Sequence, residues 1–380
     1  MRSFTSIINR GFTLYLLAGV FLIAGCASQA TAQPTTTSQL TGTATASPTE
    51  TLIPTATAIR TPPVLPVVFQ TGELNPLDPP RTYISEACQY LKDKWTSTNS
   101  APGTVLMPIM FHSISKEGET NANQVSLKDF SILMRDLKSQ EFEAVTMQQA
   151  ADFLNHNAKI PPRSVLLIVD DRHYAQYFNE FFRQYHEEWG WPVVNAFISH
   201  PDTLQVVWDE NTALEQEGWV DHQAHGVIHN IPINPGSSDE YILGELQGSI
   251  AAFQQHFGKT PIAFVWPGGG FTPRAAELAS QTGYQLGFTV NPRGPVMYNW
   301  VPLGESSDPN RPYFMPEGQV QNPLMVLPRY WDTDADKHID TVRRIGQEGA
   351  KYADAAKATE LEYYDIVCAP TLGPIPAAVP

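Results

Sequence analysis

Two periodicities alternate along the chain from residue 105 onward. Short, almost uniformly apolar runs at Val105–Phe111, Ser164–Val169, Val193–Ile198, Ile262–Val265 and Gln285–Thr289 have the length and composition of strands buried on both faces. Between them, apolar residues recur at three- and four-residue spacing. Phe130, Leu133, Met134 and Leu137 follow an N-capping Ser126. A second helix is predicted over Met147–His156 after a short stretch at Glu143–Val145, and an aromatic-rich one over Tyr174–Trp189. Leu243, Leu246, Ile250, Phe253 and Phe257 form an amphipathic helix ending near Gly258, and Pro273–Gln281 is a helix with proline at its start. Such alternation predicts an α/β fold on a parallel sheet, barrel or doubly wound, with its chemistry at the carboxyl ends of the strands.

The first sixty-six residues have a different pattern. Arg2 and Arg10 precede an apolar run, Phe12–Ile23, which as a helix spans about 18 Å and falls short of a ~30 Å hydrocarbon core. A basic segment before a short apolar one reads as an export signal. Its end, Leu22-Ile23-Ala24-Gly25-Cys26, resembles the bacterial lipobox, which implies a lipidated Cys26 and an anchor on the outer face of the cell membrane, in the cell envelope. Plain cleavage with Cys26 incidental is the alternative. From there to Pro66 about half the residues are Thr, Ser or Pro and the only charges are Glu50 and Arg60, so a disordered stalk is expected. The organisation read from the chain is a signal peptide over 1–25, a linker over 26–66, an extension over 67–104, a domain over 105–335, and a C-terminal helix and tail over 336–380.

Composition narrows the partners. With 380 residues, 42% of them hydrophobic, the chain is not wholly disordered. Its 24 basic and 39 acidic residues give −15, which argues against a nucleic-acid partner. Three cysteines without a CxxC pair argue against a zinc knuckle.

Four polar clusters follow predicted strands. Asp170 and Asp171 end one strand; a bound cation would relieve their repulsion, and a solvated turn with Asp171 as a helix cap is the other reading. His225 and His229, spaced by four, suit one metal on a turn, with His222 as a competitor; scattered surface histidines are the alternative. An Asp with two His gives an N2O donor set with open positions. Trp266-Pro267-Gly268-Gly269-Gly270 brings bare backbone near a ligand, as an oxyanion hole or merely as a tight turn. His112 closes the first strand and gains interest only beside the others.

In order and spacing these clusters resemble the polysaccharide deacetylases of the NodB-homology, carbohydrate esterase 4 type, above all the extracellular poly-N-acetylglucosamine deacetylase branch. Phe111-His112-Ser113-Ile114, Ile168-Val169-Asp170-Asp171-Arg172, His225-Gly226-Val227-Ile228-His229, Trp266-Pro267-Gly268-Gly269 and Gly283-Tyr284 carry the likeness, over roughly Val105 to Arg329. The resemblance implies a distorted (β/α)7-type barrel and hydrolysis of acetamide groups on an extracellular polysaccharide containing N-acetylglucosamine. Asp171, His225 and His229 would hold a divalent metal, zinc first, with Co2+, Ni2+ or Fe2+ as alternatives. Asp170 would be the base and His112 the acid. Gly268, Trp266 and Arg329 are candidates for oxyanion or substrate contacts, Arg329 equally for a salt bridge.

Several residues depart from the family pattern. Arg172 replaces a glycine, Ile168 a hydroxyl residue, Gly226 a Ser or Thr, and Gly268 an aromatic. Two alternatives therefore stand beside the N-deacetylase: a glycan- or cell-wall-binding lipoprotein impaired by Arg172 and its neighbours, and an O-acetyl esterase. Tyr298, Trp300, Tyr330 and Trp331 are sugar-stacking candidates with burial as the default. Cys88 and Cys368 flank the domain and are a candidate disulfide in an oxidising exterior.

Overall fold

A computed structural model describes residues 60–118, 121 and 123–376. The signal, Cys26 and most of the expected stalk lie outside the described residues. Seven strands follow one another along the central parallel sheet, β1 (Val105–Phe111), β2 (Arg163–Asp170), β3 (Val193–Phe197), β4 (Val220–Ala224), β5 (Ala263–Val265), β6 (Leu286–Phe288) and β7 (Tyr330–Trp331), and a two-residue strand at Glu143–Ala144 pairs with β2 as an eighth. Their spatial order is β6-β5-β4-β3-β2-β1-β7, every neighbouring pair parallel. An isolated parallel bridge joins Phe288 to Leu327, just ahead of β7, so the sheet curls until its ends meet. This is the expected distorted seven-stranded barrel.

The longer helices are α1 (Ala87–Trp95), α2 (Leu127–Ser139), α3 (Met147–His156), α4 (Ala175–Phe181), α5 (Arg183–Trp189), α6 (Gln205–Glu217), α7 (Asp239–His256), α8 (Pro273–Gln281) and α9 (Ile339–Tyr363). The single helix predicted over 174–189 is two, with Phe182 (φ −107°) at the joint. No helix among the described residues is long and apolar enough to cross a membrane.

Strand parity explains how the core and the site divide. Along β2, Val165, Leu167 and Val169 pack into one apolar cluster with α2, α4 and α5, while Leu166 and Ile168 pack into the other with α3, α7 and α8. A strand alternates faces with period two, so Asp170 continues the row of Leu166 and Ile168. Five strands hand the chain to the same end of the barrel at His112, Asp171, His225, Trp266 and Thr289.

The flanking segments pack on the body. Cys88 of α1 and Cys368, the candidate pair, form a disulfide with Cα atoms 5.3 Å apart. Leu91, Tyr364 and Cys368 pack around it, with Leu65 partly buried against them. Arg60 pairs with Asp365 at 2.5 Å, so the body already engages the last residues of the stretch expected to be linker.

Candidate active site

At the carboxyl end of the barrel lies a cleft of about 320 Å³ lined by His112, Asp170, Asp171, His225, His229 and Gly268, with Asn123, Val290, Tyr313, Phe314 and Trp331 around them. Chain direction supplies most of this: Asp170 is the last residue of β2, His112, Asp171 and His225 each sit one position past a strand, and His229 follows five residues after β4.

Asp171 would leave the cleft if β2 simply continued. Instead it takes a left-handed conformation (φ 77°), rare for a non-glycine residue and costing on the order of 1–3 kcal/mol. That turn returns its carboxylate to the side of Asp170. Oδ1 of Asp171 then stands 3.4 Å from Nε2 of His229 and 3.9 Å from Nε2 of His225. One donor atom from each of the three lies within 4.8 Å of the others. Ligands about 2.0–2.1 Å from a tetrahedral ion lie roughly 3.4 Å apart, so a small inward movement satisfies a divalent cation.

The chemistry of the donors fits such an ion. Nδ1–H of His225 donates to the Val265 carbonyl at 2.8 Å, which leaves Nε2 as the lone-pair nitrogen. Burial is the largest influence on this imidazole and, with His229, outweighs the pull of Asp170 and Asp171, lowering its pKa to about 4. His225 is therefore neutral near pH 7, as a ligand must be. Between the two histidines Gly226 is left-handed (φ 76°), and the carboxylate of Glu245 on α7 accepts the N–H groups of Val227 and Ile228 at 2.7 and 2.9 Å. A Cβ at Gly226 would meet Glu245 Oε2 at 2.5 Å, which explains glycine in place of the family's Ser or Thr.

Asp170 is fixed differently. It is 1% exposed, and Arg329, itself fully buried, donates to both carboxylate oxygens at 2.6 and 2.9 Å. Nε of Arg329 donates to the Thr289 carbonyl. Burial alone would raise this acid, but Arg329, His225 and His112 overcome it and lower the pKa to about 2. His112 places Nε2 3.7 Å from Asp170 Oδ2 and stacks on Trp331 at 5.8 Å between centroids. Its Nδ1 is buried with no hydrogen-bond partner.

The other sequence candidates separate into those at the cleft and those away from it. Gly268 lines it in a left-handed turn (φ 57°). Trp266 does not: it is fully buried and its indole N–H donates to Met325, so it is a core residue and no substrate contact. Arg329 reaches no solvent and pairs with Asp170, the salt-bridge reading. His222 points elsewhere, held by Glu215 and Asn211, and is no competing ligand. Of the aromatic candidates only Trp331 lines the cleft; Tyr330 is core, and Tyr298 and Trp300 line a separate cavity with Tyr90 and Lys94. Arg172 is exposed, donates to Thr203 Oγ1 at 2.7 Å and is not among the residues that line the cleft.

Sequence reasoning missed three participants. Glu245 looked like one more surface acid of an amphipathic helix, although its place between Leu243 and Leu246 on the apolar side was a signal. Asp332 is 3% exposed behind the cleft, its carboxylate oxygens without a hydrogen bond of normal geometry. Burial, chiefly, and the charge of Asp170 raise its pKa to about 7, against the amides of Thr333 and His112. Tyr313 had no local pattern to mark it.

Comparison with known proteins finds similar chains. A polysaccharide deacetylase family model matches residues 157–287, and a glycosyl hydrolase family 57 model matches residues 223–364. YxkH of Bacillus subtilis (strain 168), which carries the name polysaccharide deacetylase, is 24% identical over 186 residues. That alignment covers 48% of this chain and 64% of the relative. Similar solved structures include the Streptococcus pyogenes deacetylase PplD in complex with acetate (19% identical, TM-score 0.48, covering 61% of this chain and 93% of that one). Another is IcaB from Ammonifex degensii (16%, TM-score 0.48, 65% and 98%). Of the two matched models, only the first spans both carboxylates as well as both imidazoles, the set the fold assembles, and over residues 157–287 the chain is similar to the polysaccharide deacetylases.

Proposed function

We propose that the protein hydrolyses acetamide groups on an exported glycan containing N-acetylglucosamine. The observation that carries this is the convergence of Asp171, His225 and His229 on one point beside an ionised, arginine-locked Asp170 and an adjacent His112.

Asp171, His225 and His229 would hold the divalent cation, zinc foremost. When bound, it supplies Lewis acidity toward the acetamide carbonyl and the hydrolytic water. Asp170 accepts the proton that water loses on attack. A carboxylate with so low a pKa does not retain that proton, and His112 is its nearest imidazole across the cleft. His112 delivers a proton to the nitrogen as the C–N bond breaks, leaving acetate and a free amine. Gly268 offers backbone to the developing oxyanion. The stack on Trp331 holds the His112 ring in place.

Acetate release from N-acetylglucosamine oligomers by zinc-loaded protein tests this directly. Asp170→Asn is expected to lower kcat by about 10²–10⁴-fold. Equal rates in the variant, or no acetate with zinc, cobalt, nickel or iron(II), would count against the reading.

The chain is also proposed to be exported and lipid-anchored through Cys26. Support comes from the basic-apolar leader and from a disulfide suited to oxidising surroundings. Incorporation of labelled fatty acid in a bacterial host, abolished in Cys26→Ala, is the expected result; a labelled variant would refute it.

A further inference from the structure

Tyr313 is the most exposed large apolar side chain among the described residues, at 92%, yet it stands on the rim of the cleft. A lone exposed aromatic means little by itself. What distinguishes this one is the loop that carries it, residues 304–320.

Buried charges clamp that loop. Asp78, from the N-terminal extension, accepts from Arg293 and Arg311, both at 2.9 Å. Arg311 also donates to Asp308 at 2.7 Å, and Glu317 accepts the amide of Gly304 at 2.8 Å. The Met315 carbonyl, two residues past Tyr313, receives both Asn291 and Arg293. Asp78, Arg293, Asp308 and Glu317 are all 3% exposed or less. Burying charges gives little net stability over an apolar core of the same shape; it does fix one conformation. Here the conformation fixed is the one that holds an unshielded phenol ring at the entrance to the site.

The cleft is at the lower end of the ~300–1,000 Å³ usual for small ligands, so a polymer has to run out across its rim. A tyrosine ring has an apolar face and a polar tip, which suits the C–H face and hydroxyl edge of a pyranose. We propose that Tyr313 is a stacking platform for the sugar next to the one being deacetylated, so that the site takes an oligosaccharide in preference to a single N-acetylglucosamine. The substrate class rests on the deacetylase reading above.

Calorimetric titration with N-acetylglucosamine monomer, trimer and pentamer, in β-1,4 and β-1,6 linkage, tests it on the full chain, the tighter series being scored. Wild-type protein is expected to bind the trimer at least ten-fold more tightly than the monomer. Tyr313→Ala should erase about ten-fold of that gain, and Tyr313→Phe, which keeps the ring, should stay within about two-fold of wild type. Trimer affinity unchanged in Tyr313→Ala, or no binding of any oligomer, overturns the proposal. Acetate release measured in parallel separates the two readings. Ring-dependent binding without acetate sinks the deacetylase reading and leaves this one standing. Acetate release with an unaltered KM in Tyr313→Ala does the reverse.

Discussion

Two aspartates near the cleft are buried to similar degrees and titrate in opposite directions. Asp170 has a guanidinium on both oxygens and stays ionised down to about pH 2; Asp332 has none and holds its proton up to about pH 7. Burial pushes both upward, so the partner decides the sign. For Asp170 the native state releases its proton more readily than the unfolded chain, so the stability it contributes is present above about pH 4 and lost as pH falls toward 2. For Asp332 the native state keeps a proton the unfolded chain gives up, so stability declines as pH rises from about 4 to about 7. Asp332→Asn, which cannot ionise, should remove that second decline. The difference in melting temperature between pH 5 and pH 8 should be smaller in the variant than in wild type. Parallel melting curves with the same pH dependence would contradict it.

Elements differ in how much of themselves they display in local sequence. β1 and β2 are legible because both faces are buried and the run is uniformly apolar. β4 is not, since Asp221, His222 and Gln223 interrupt it with polar side chains that find partners in one another and in Glu215 and Lys259. α6 escaped because Val207, Trp208 and Leu214 are too sparse to set a period, and β7 because two residues make no pattern. The site residues were legible as motifs, whereas what holds them was not: Glu245 reaches the histidine turn across 18 residues and Arg329 reaches Asp170 across 159. The turn from His225 to His229 is where this support is most exposed to test. Gly226→Ser restores a commoner family residue, yet it places a Cβ against Glu245 in a left-handed turn. It is expected to lower stability by about 1–3 kcal/mol. It should also weaken zinc binding, read by unfolding and by competition with a chelator. A variant equal to wild type in both would show that the turn tolerates the side chain.

Across the whole molecule, the segments flanking the barrel are parts of the body. Asp78 anchors the loop beside the cleft, α1 packs on the C-terminal region, and Cys88–Cys368 closes a span of 280 residues. In the chain-entropy account a closed loop of that length is worth about 5–6 kcal/mol. The paired change Cys88→Ser with Cys368→Ser should therefore cost about 3–5 kcal/mol in guanidinium unfolding. An unshifted midpoint would mean that packing around Leu91 and Tyr364 suffices alone. The same cross-link bears on resistance to proteolysis: a protease that nicks any exposed turn between its two sulfur atoms leaves the severed pieces covalently joined. The barrel then has the chance to re-seat in place, where an uncrosslinked chain would let one fragment diffuse away.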